Sequence, residues 1–193
     1  VECIAADPAW HPALAGYSKQ SHAIVRYAMD AGALDPQRLR QLSGPPLGYA
    51  VAPYEASRLR AVCAQPWGED QIGLYENQEA FLRCSGGFVL LNGAVPVGGC
   101  AGFCRQGDED EIQVDLHPQH RGKGLASCLC AAYLLDALEA GRRPRWDAAN
   151  MASLRLAQKL GFRLVEAYPA WCLLSPDADA RQAHAQMGPD IWA

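Results

Sequence analysis

Runs of alternating and helix-spaced apolar residues divide the chain into short strands and helices in mixed order. Phe88-Val89-Leu90-Leu91, a break at Asn92-Gly93, and then Ala94 to Phe103 predict a β-hairpin. Asn-Gly supplies the two positive-φ positions of a two-residue type I′ turn. Pro96 and Gly98-Gly99 predict a kink or an edge position near the start of the second strand. Gln106 to Asp110 reads as a polar turn, and Glu111 to Leu116 as a strand whose apolar residues Ile112, Val114 and Leu116 alternate with polar ones. Between Gly124 and Leu138, Leu125, Cys128, Leu129, Ala132 and Leu135 share a face, and only Ser127 and Asp136 are strongly polar. A helix apolar nearly all round belongs in the core. Gly141 to Pro144 ends it, and Arg145 to Ala148 is a short strand. Asn150 caps a helix from Met151 to Leu160, with Gly161 at the C′ position. Phe162–Tyr168 and Ala170–Leu174 predict two strands around Pro169.

Upstream the signals are weaker. Val1 to Gly16 reads as an irregular lead-in. Ser18 to Leu34 predicts a helix, with Ser18 as N-cap and Ile24, Tyr27, Ala28 and Ala31 on one face. Asp35-Pro36 opens a short helix through Leu42, with Pro36 at its first position, and Ser43 to Pro46 stops it. Leu47 to Ala52 reads as a first strand, Glu55 to Cys63 as a helix, Ala64 to Gly73 as a connector, and Glu76 to Arg83 as a helix ending at Gly86-Gly87. The organisation expected is an N-terminal helical segment over 1–46, a mixed α/β domain over 47–174 and a polar tail over 175–193.

Composition narrows the class. The chain has 193 residues, half of them hydrophobic and a fifth charged, and can bury a full core. Its net charge of −4 argues against a nucleic-acid partner, which calls for a basic face. The 8 cysteines include no C-x-x-C pair and no histidines at zinc-finger spacing, so no metal site is expected. Most lie in apolar runs and read as reduced core residues of a cytoplasmic protein. No apolar run approaches the ~18 residues of a membrane span, and no secretory leader stands before the first helix.

The chemistry concentrates at Gln119-His120-Arg121-Gly122-Lys123-Gly124-Leu125-Ala126, between the strand ending at Leu116 and the long apolar helix. There the free N–H groups of a helix N-terminus and its positive dipole end converge on an anion. Gly122 and Gly124 let the backbone approach a phosphate with no Cβ in the way. A P-loop would need G-x-x-x-x-G-K-[ST], which is absent. A dinucleotide fingerprint fails at Ser127, where its third glycine would stand, and sits too late in the chain.

The pattern [QR]-x-x-G-x-[GA], met by Gln119, Gly122 and Gly124, resembles the acetyl-CoA site of the GNAT superfamily of N-acetyltransferases. A second element, Asn150-x-x-Ser153 followed by Leu156 to Phe162, is similar to the same family, and Trp146 to Asn150 resembles an antibiotic-modifying subgroup that includes zwittermicin-resistance enzymes. The resemblance covers Phe88 to Leu174 well and Leu47 to Ala52 loosely. It implies a mixed, twisted central sheet whose fourth and fifth strands splay into a V, flanked by helices. Acetyl-CoA would lie in that V. The backbone of Val114 and Leu116 would pair with the pantetheine. The N–H groups from Arg121 through Gly122, Lys123, Gly124 and Leu125 to Ala126 would hold the pyrophosphate, with charge from Arg121 and Lys123. Asn150 and Ser153 would contact the pantetheine arm.

The resemblance also implies an acid and a base. The tyrosine that serves many members as acid is replaced by Ala157, leaving the thiolate to depart unaided or Tyr168 to substitute. The positions that usually face the acceptor match Ile112 and Val114, which take no proton. The ionisable candidates are Glu111 and Asp115 as bases and Asp147 as a substrate contact. The acidic run Asp108 to Glu111 would suit a cationic small-molecule amine such as an aminoglycoside, or is a solvated turn. Another small amine, a peptide N-terminus and a non-catalytic acyl-CoA-binding module are the competing readings. The N-terminal segment would wall the acceptor site or form a homodimer contact.

Overall fold

A computed structural model describes residues 3–5, 7–15 and 22–173. In chain order its strands are β1 (Cys3–Ala5), β2 (His22–Asp30), β3 (Tyr49–Pro53), β4 (Gly87–Asn92), β5 (Val95–Gln106), β6 (Glu109–Leu116), β7 (Arg143–Ala148) and β8 (Arg163–Leu173). The helices are α1 (His11–Ala15), α2 (Pro36–Leu42), α3 (Ala56–Cys63), α4 (Gln78–Cys84), α5 (Leu125–Glu139) and α6 (Met151–Leu160). They form two compact units, one from residues up to Asp30 with 147–158 and the chain from Arg163, the other from 31–146 with 159–162.

The larger unit is a sheet covered on both faces. Its strands run in the order β7-β6-β5-β4-β3, antiparallel except for β6 and β7, which are parallel. One face packs on α3 and α4 through Tyr54, Leu59, Val62, Phe81, Val89 and Ala101. The other packs on α5, which buries Leu125, Leu129, Tyr133 and Leu134, and α2 rests on α5 with Leu39 fully enclosed. Each such side chain contributes about 1.5–3 kcal/mol by leaving water. The Asp35 carboxylate accepts the Gln37 N–H at 2.8 Å and starts α2 where Asp-Pro predicts.

The hairpin closes one residue later than expected. Asn92 still pairs with Val95, so the turn residues are Gly93 and Ala94. Only Gly93 has positive φ (60°), which excludes type I′ and fits a type II′ turn with glycine first. The predicted kink is present: the register skips Val97 between Gly98 and Pro96. A second bulge sets Gly102 and Cys104 against the adjacent Ile112 and Glu111, leaving Phe103 as the extra residue. The Phe103 carbonyl turns outward to accept the Leu74 N–H at 2.9 Å.

Three expectations are corrected. The helix from Ser18 to Leu34 is instead β2 over His22–Asp30, paired antiparallel with β8; Ser18 lies outside the described residues. Ile24, Tyr27, Ala28 and Ala31 fall at helical spacing by coincidence of residue type; the register skips Val165, so the bulge is carried by β8, and β2 buries Ile24 and Met29. The N-terminal segment is therefore not helical alone; β1 also pairs with β8. Pro169 does not divide the last strand. β1 covers β8 only at Trp171–Leu173, so the absent N–H of Pro169 interrupts no bond there. Ser175 and the expected tail lie outside the described residues.

The third correction concerns the acidic run. β6 begins at Glu109, and Asp110 is fully buried in it. Its Oδ1 accepts from Arg105 Nε at 2.5 Å, and its Oδ2 from Arg142 Nη1 at 2.6 Å and from the Tyr133 hydroxyl at 3.0 Å. Asp108 pairs with Arg143, and Glu109 with Arg143 and Arg145. Three of the four acidic side chains are thus neutralised within the fold, and no acidic mouth for a cationic ligand is formed by them. Burial pushes the Asp110 carboxyl up, but the Arg105 and Arg142 guanidinium groups outweigh it and hold the carboxyl below its ordinary value.

Asp110→Ala, which takes from half-buried Arg105 and from Tyr133 their shared carboxylate and leaves Arg142 only Asp136, is expected to cost about 3 kcal/mol in urea unfolding. Because its folded-state value is depressed, the contribution of Asp110 is present above about pH 4 and is lost as pH falls through that lower value. Thermal scans between pH 7 and 3 are therefore expected to show a shallower loss of stability on acidification in Asp110→Asn than in the wild type.

Candidate functional site

Strand β6 and the turn after it organise the larger unit's candidate site. β6 pairs with β7 only from Glu109 to Glu111, opposite Arg143 to Arg145; the ladder then ends, and the remainder of β6 has no partner in β7. The two parallel strands part at the place where the splayed pair is expected. Past it, His117 N–H bonds the Val97 carbonyl at 2.9 Å, and a 3₁₀ turn at Pro118–His120 leads into the glycines.

Gly122 and Gly124 adopt φ of 73° and 75°, which other residues enter only with strain, and nothing lies within 4 Å of where a Cβ would stand on either. Gly124 is the N-cap of α5 and has no side chain to cap it. The Ser127 N–H turns back to the Gly124 carbonyl at 3.1 Å, and the N–H groups of Leu125 and Ala126 at the start of a long helix are left to an outside acceptor. These features fit a pyrophosphate. Arg121 is partly engaged, its Nε donating to the Leu116 carbonyl at 3.0 Å, so that carbonyl is occupied rather than open to a pantetheine amide. Lys123 is exposed. The turn is buttressed by His120, whose Nδ1 lies 3.0 Å from the Tyr49 hydroxyl, and by His117, which stacks edge-on to His120 and to Trp67.

The bulge is carried by β5, so β6 keeps strict alternation. Asp110, Ile112, Val114 and Leu116 point to the α5 face, whereas Glu111, Gln113 and Asp115 point to the opposite one. The structure brings Asp115 together with two residues the sequence did not single out. Asp115 Oδ2 accepts from Gln71 Nε2 at 2.7 Å and from Gln113 Nε2 at 2.8 Å. Gln71 is fully buried, and its Oε1 accepts from the Tyr54 hydroxyl at 3.0 Å. A Cβ at Gly99, opposite Asp115 on β5, would overlap both the Tyr54 hydroxyl and the Gln71 amide. Burial raises the Asp115 carboxyl above its ordinary value, against the lowering effect of the Gln113 and Gln71 amides. Gln71 sits in a 3₁₀ turn, Glu69–Ile72, within what reads as a featureless connector. Its only sequence signal is the small-residue run Gly98-Gly99 that makes room for it.

The smaller unit holds the other candidates. Asn150 Oδ1 accepts the Ser153 N–H at 2.9 Å, the capping contact expected at the start of α6. Ala157 is fully buried, so no acid replaces the tyrosine at that position. Asp147 Oδ2 accepts from Arg26 Nε at 3.0 Å and, through a short bond, from the Tyr168 hydroxyl, while Arg26 Nη2 reaches the Asp147 carbonyl at 3.1 Å. Asp147 Oδ1 is buried with no hydrogen-bond partner. Burial and the Asp147 carboxylate push Tyr168 up to about 12. The Tyr168 hydroxyl gives its proton to Asp147 and, beside that carboxylate, holds it more firmly than an ordinary phenol. Of the cysteines, Cys100, Cys128 and Cys130 are buried, Cys63 and Cys104 half-buried and Cys84 exposed, and all six are free thiols. Among the described residues no helix is long and apolar enough to cross a membrane.

Comparison with known proteins agrees with this geometry. A crystal structure of a GCN5-related N-acetyltransferase-like protein from Streptococcus suis 89/1591 superposes with a TM-score of 0.81 at 30% identity, over 86% of this chain and 68% of that one. A GCN5-related N-acetyltransferase from Kribbella flavida shares the fold at a TM-score of 0.55 and 19% identity, over 78% of this chain and 57% of that one. An uncharacterized N-acetyltransferase of Bacillus subtilis (strain 168), YdfB, is 33% identical over 84 residues, which is 42% of this chain and 32% of that protein. The chain thus spans about a third of that curated relative. The profile of the GNAT acetyltransferase family matches residues 1–171, so the strands β1 and β2 fall inside the matched region, and the chain belongs to the GNAT acetyltransferase family.

Proposed function

We propose that this protein is an acetyl-CoA-dependent N-acetyltransferase that acts on a primary amine of a small molecule, with Asp115 as the base. The observation that carries the reading is the pairing of an uncapped helix N-terminus, fronted by Gly122 and Gly124, with a half-buried, amide-bonded carboxylate on the strand that feeds it. When bound, acetyl-CoA supplies the acyl thioester. The backbone N–H groups from Gly122 to Ala126 hold its pyrophosphate, the Arg121 N–H being taken by the Pro118 carbonyl at 3.2 Å, and the Arg121 and Lys123 side chains add positive charge. The unpaired edge of β6 at Val114 offers backbone groups to the pantetheine.

The acceptor must lose a proton before its nitrogen attacks. Asp115 Oδ2 is engaged by two amide donors, while Oδ1 has no hydrogen bond among the described residues. Oδ1 is therefore the oxygen that takes the proton. The raised value of the carboxyl makes it a stronger base than an exposed aspartate. Glu111, on the same face of β6, is the second candidate.

The narrower reading, a cationic acceptor of the aminoglycoside type, rests on the resemblance of Trp146 to Asn150 to antibiotic-modifying enzymes. The acidic run does not support it, because Arg105, Arg142, Arg143 and Arg145 already pair with Asp108, Glu109 and Asp110.

Incubation with acetyl-CoA and a panel of amines, aminoglycosides included, is expected to release free thiol and add one acetyl group by mass spectrometry. Binding of the cofactor with no thiol release from any amine would instead favour an acyl-CoA-binding module. Asp115→Asn is expected to lower kcat about 10²–10⁴-fold, the usual contribution of a general base, while leaving acetyl-CoA affinity within about twofold. The acidic limb of kcat/KM should lie above the ordinary aspartate value of about 3.9, since activity falls as pH drops through the raised value of Asp115. Gly124→Ala, which forces a side chain into a left-handed conformation at a cost of about 1–2 kcal/mol, is expected to weaken acetyl-CoA binding about tenfold by calorimetry.

A further inference from the structure

We propose that Gln71 is a positioning residue for Asp115: held in one orientation by the Tyr54 hydroxyl, it confines any proton that Asp115 carries to Oδ1. The inference rests on the reading of Asp115 as the base and adds how that base is set.

A glutamine amide presents a donor at one end and an acceptor at the other, and nothing in its shape decides which faces a neighbour. Here a second partner decides it. The buried Tyr54 hydroxyl has one proton to give and gives it to Gln71 Oε1 at 3.0 Å. The Gln71 Nε2 is thereby turned to Asp115 Oδ2, 2.7 Å away. The reverse orientation would set Oε1 against a carboxylate oxygen, acceptor against acceptor. Gln113 Nε2 reaches the same Oδ2 at 2.8 Å. A proton on Oδ2 would then meet two N–H donors, so the site of protonation is Oδ1. Tyr54 remains a donor throughout the working range, because burial pushes its hydroxyl well above its ordinary value.

The turn that carries Gln71 is itself fixed. Gly73 lies directly against the Phe103 carbonyl, and Leu74 N–H bonds that carbonyl at 2.9 Å. The bulge in β5 therefore places the turn, and Gly99 on the same strand leaves the space that the Tyr54–Gln71 pair fills. The other titratable groups facing Asp115 are Asp70 in the same turn, which opposes its charge, Arg121 beyond the end of β6, which favours it, and the buried thiol of Cys100 on β5. None of these donates a hydrogen bond to the carboxylate among the described residues.

The test compares wild type, Gln71→Leu and Tyr54→Phe by ¹³C titration of the Asp115 carboxyl and by the pH dependence of kcat/KM. Loss of the Gln71 donor removes a hydrogen bond to the charged form, so Asp115 should hold its proton about tenfold more tightly and titrate about one pH unit higher. The acidic limb of kcat/KM should move up with it, at unchanged KM for acetyl-CoA. Tyr54→Phe, which frees the amide to turn, should shift both in the same direction by a smaller amount. An unchanged Asp115 titration in Gln71→Leu overturns the inference. If Gln71→Leu does not fold, Tyr54→Phe decides: the upward shift supports the inference and an unchanged titration overturns it. The carboxyl titration needs no turnover. A protein whose Asp115 shifts as expected but which acetylates no amine would sink the proposed function and leave this inference standing.

Discussion

The burial of the Asp110 carboxylate is the constraint on which the larger unit depends. A carboxylate with no exposure must be met on both oxygens, and Arg105, Arg142 and Tyr133 do so from three places in the chain: the end of β5, the segment after α5, and the middle of α5. One side chain thereby ties the β5–β6 hairpin to the long helix and to the strand that follows it. Hydrophobic packing supplies most of the stability of such a fold, but it tolerates slippage. A buried charge with three named donors has one arrangement, so it sets the register of β6.

That register has consequences five residues along. With Asp110 on the α5 face, strict alternation puts Asp115 on the other, among Gln113, Gln71 and Tyr54. A slip of one residue would exchange the two faces and send Asp115 toward α5. The bulge at Phe103 lies on β5, so it bends the neighbouring strand without disturbing this parity. The β6–β7 ladder ends just past Asp110, leaving the rest of β6 and the glycine turn free for other work. The structural charge and the candidate catalytic charge lie on one strand, separated by the place where two strands part.

Much of this order was legible. Asp35-Pro36 starts α2, Gly98-Gly99 lies beside a bulge, the apolar run after Gly124 is a buried helix, and Gly122 and Gly124 take the left-handed conformations that an anion cradle needs. These are local signals, carried by residues whose backbone preferences differ from the rest. The failures are equally physical. β2 carries apolar residues at helical spacing, and its partner β8 lies more than a hundred residues away, so nothing nearby announces the pairing. The acidic run looked like a solvated turn because Arg142, Arg143 and Arg145, which neutralise it, arrive from beyond α5.

The sequence by itself therefore determined the family, the left-handed glycine turn before α5, and the identity of most helices and strands, because each depends on a conformational preference or a motif within a few residues. Only the tertiary structure decided which carboxylate has a donor-lined pocket, which is locked in an ion network, and which is held by Arg26 and Tyr168. A carboxyl group is the same in sequence wherever it stands. Its chemistry is set by burial and by the donors that reach it, and here those donors come from distant segments that only folding brings together.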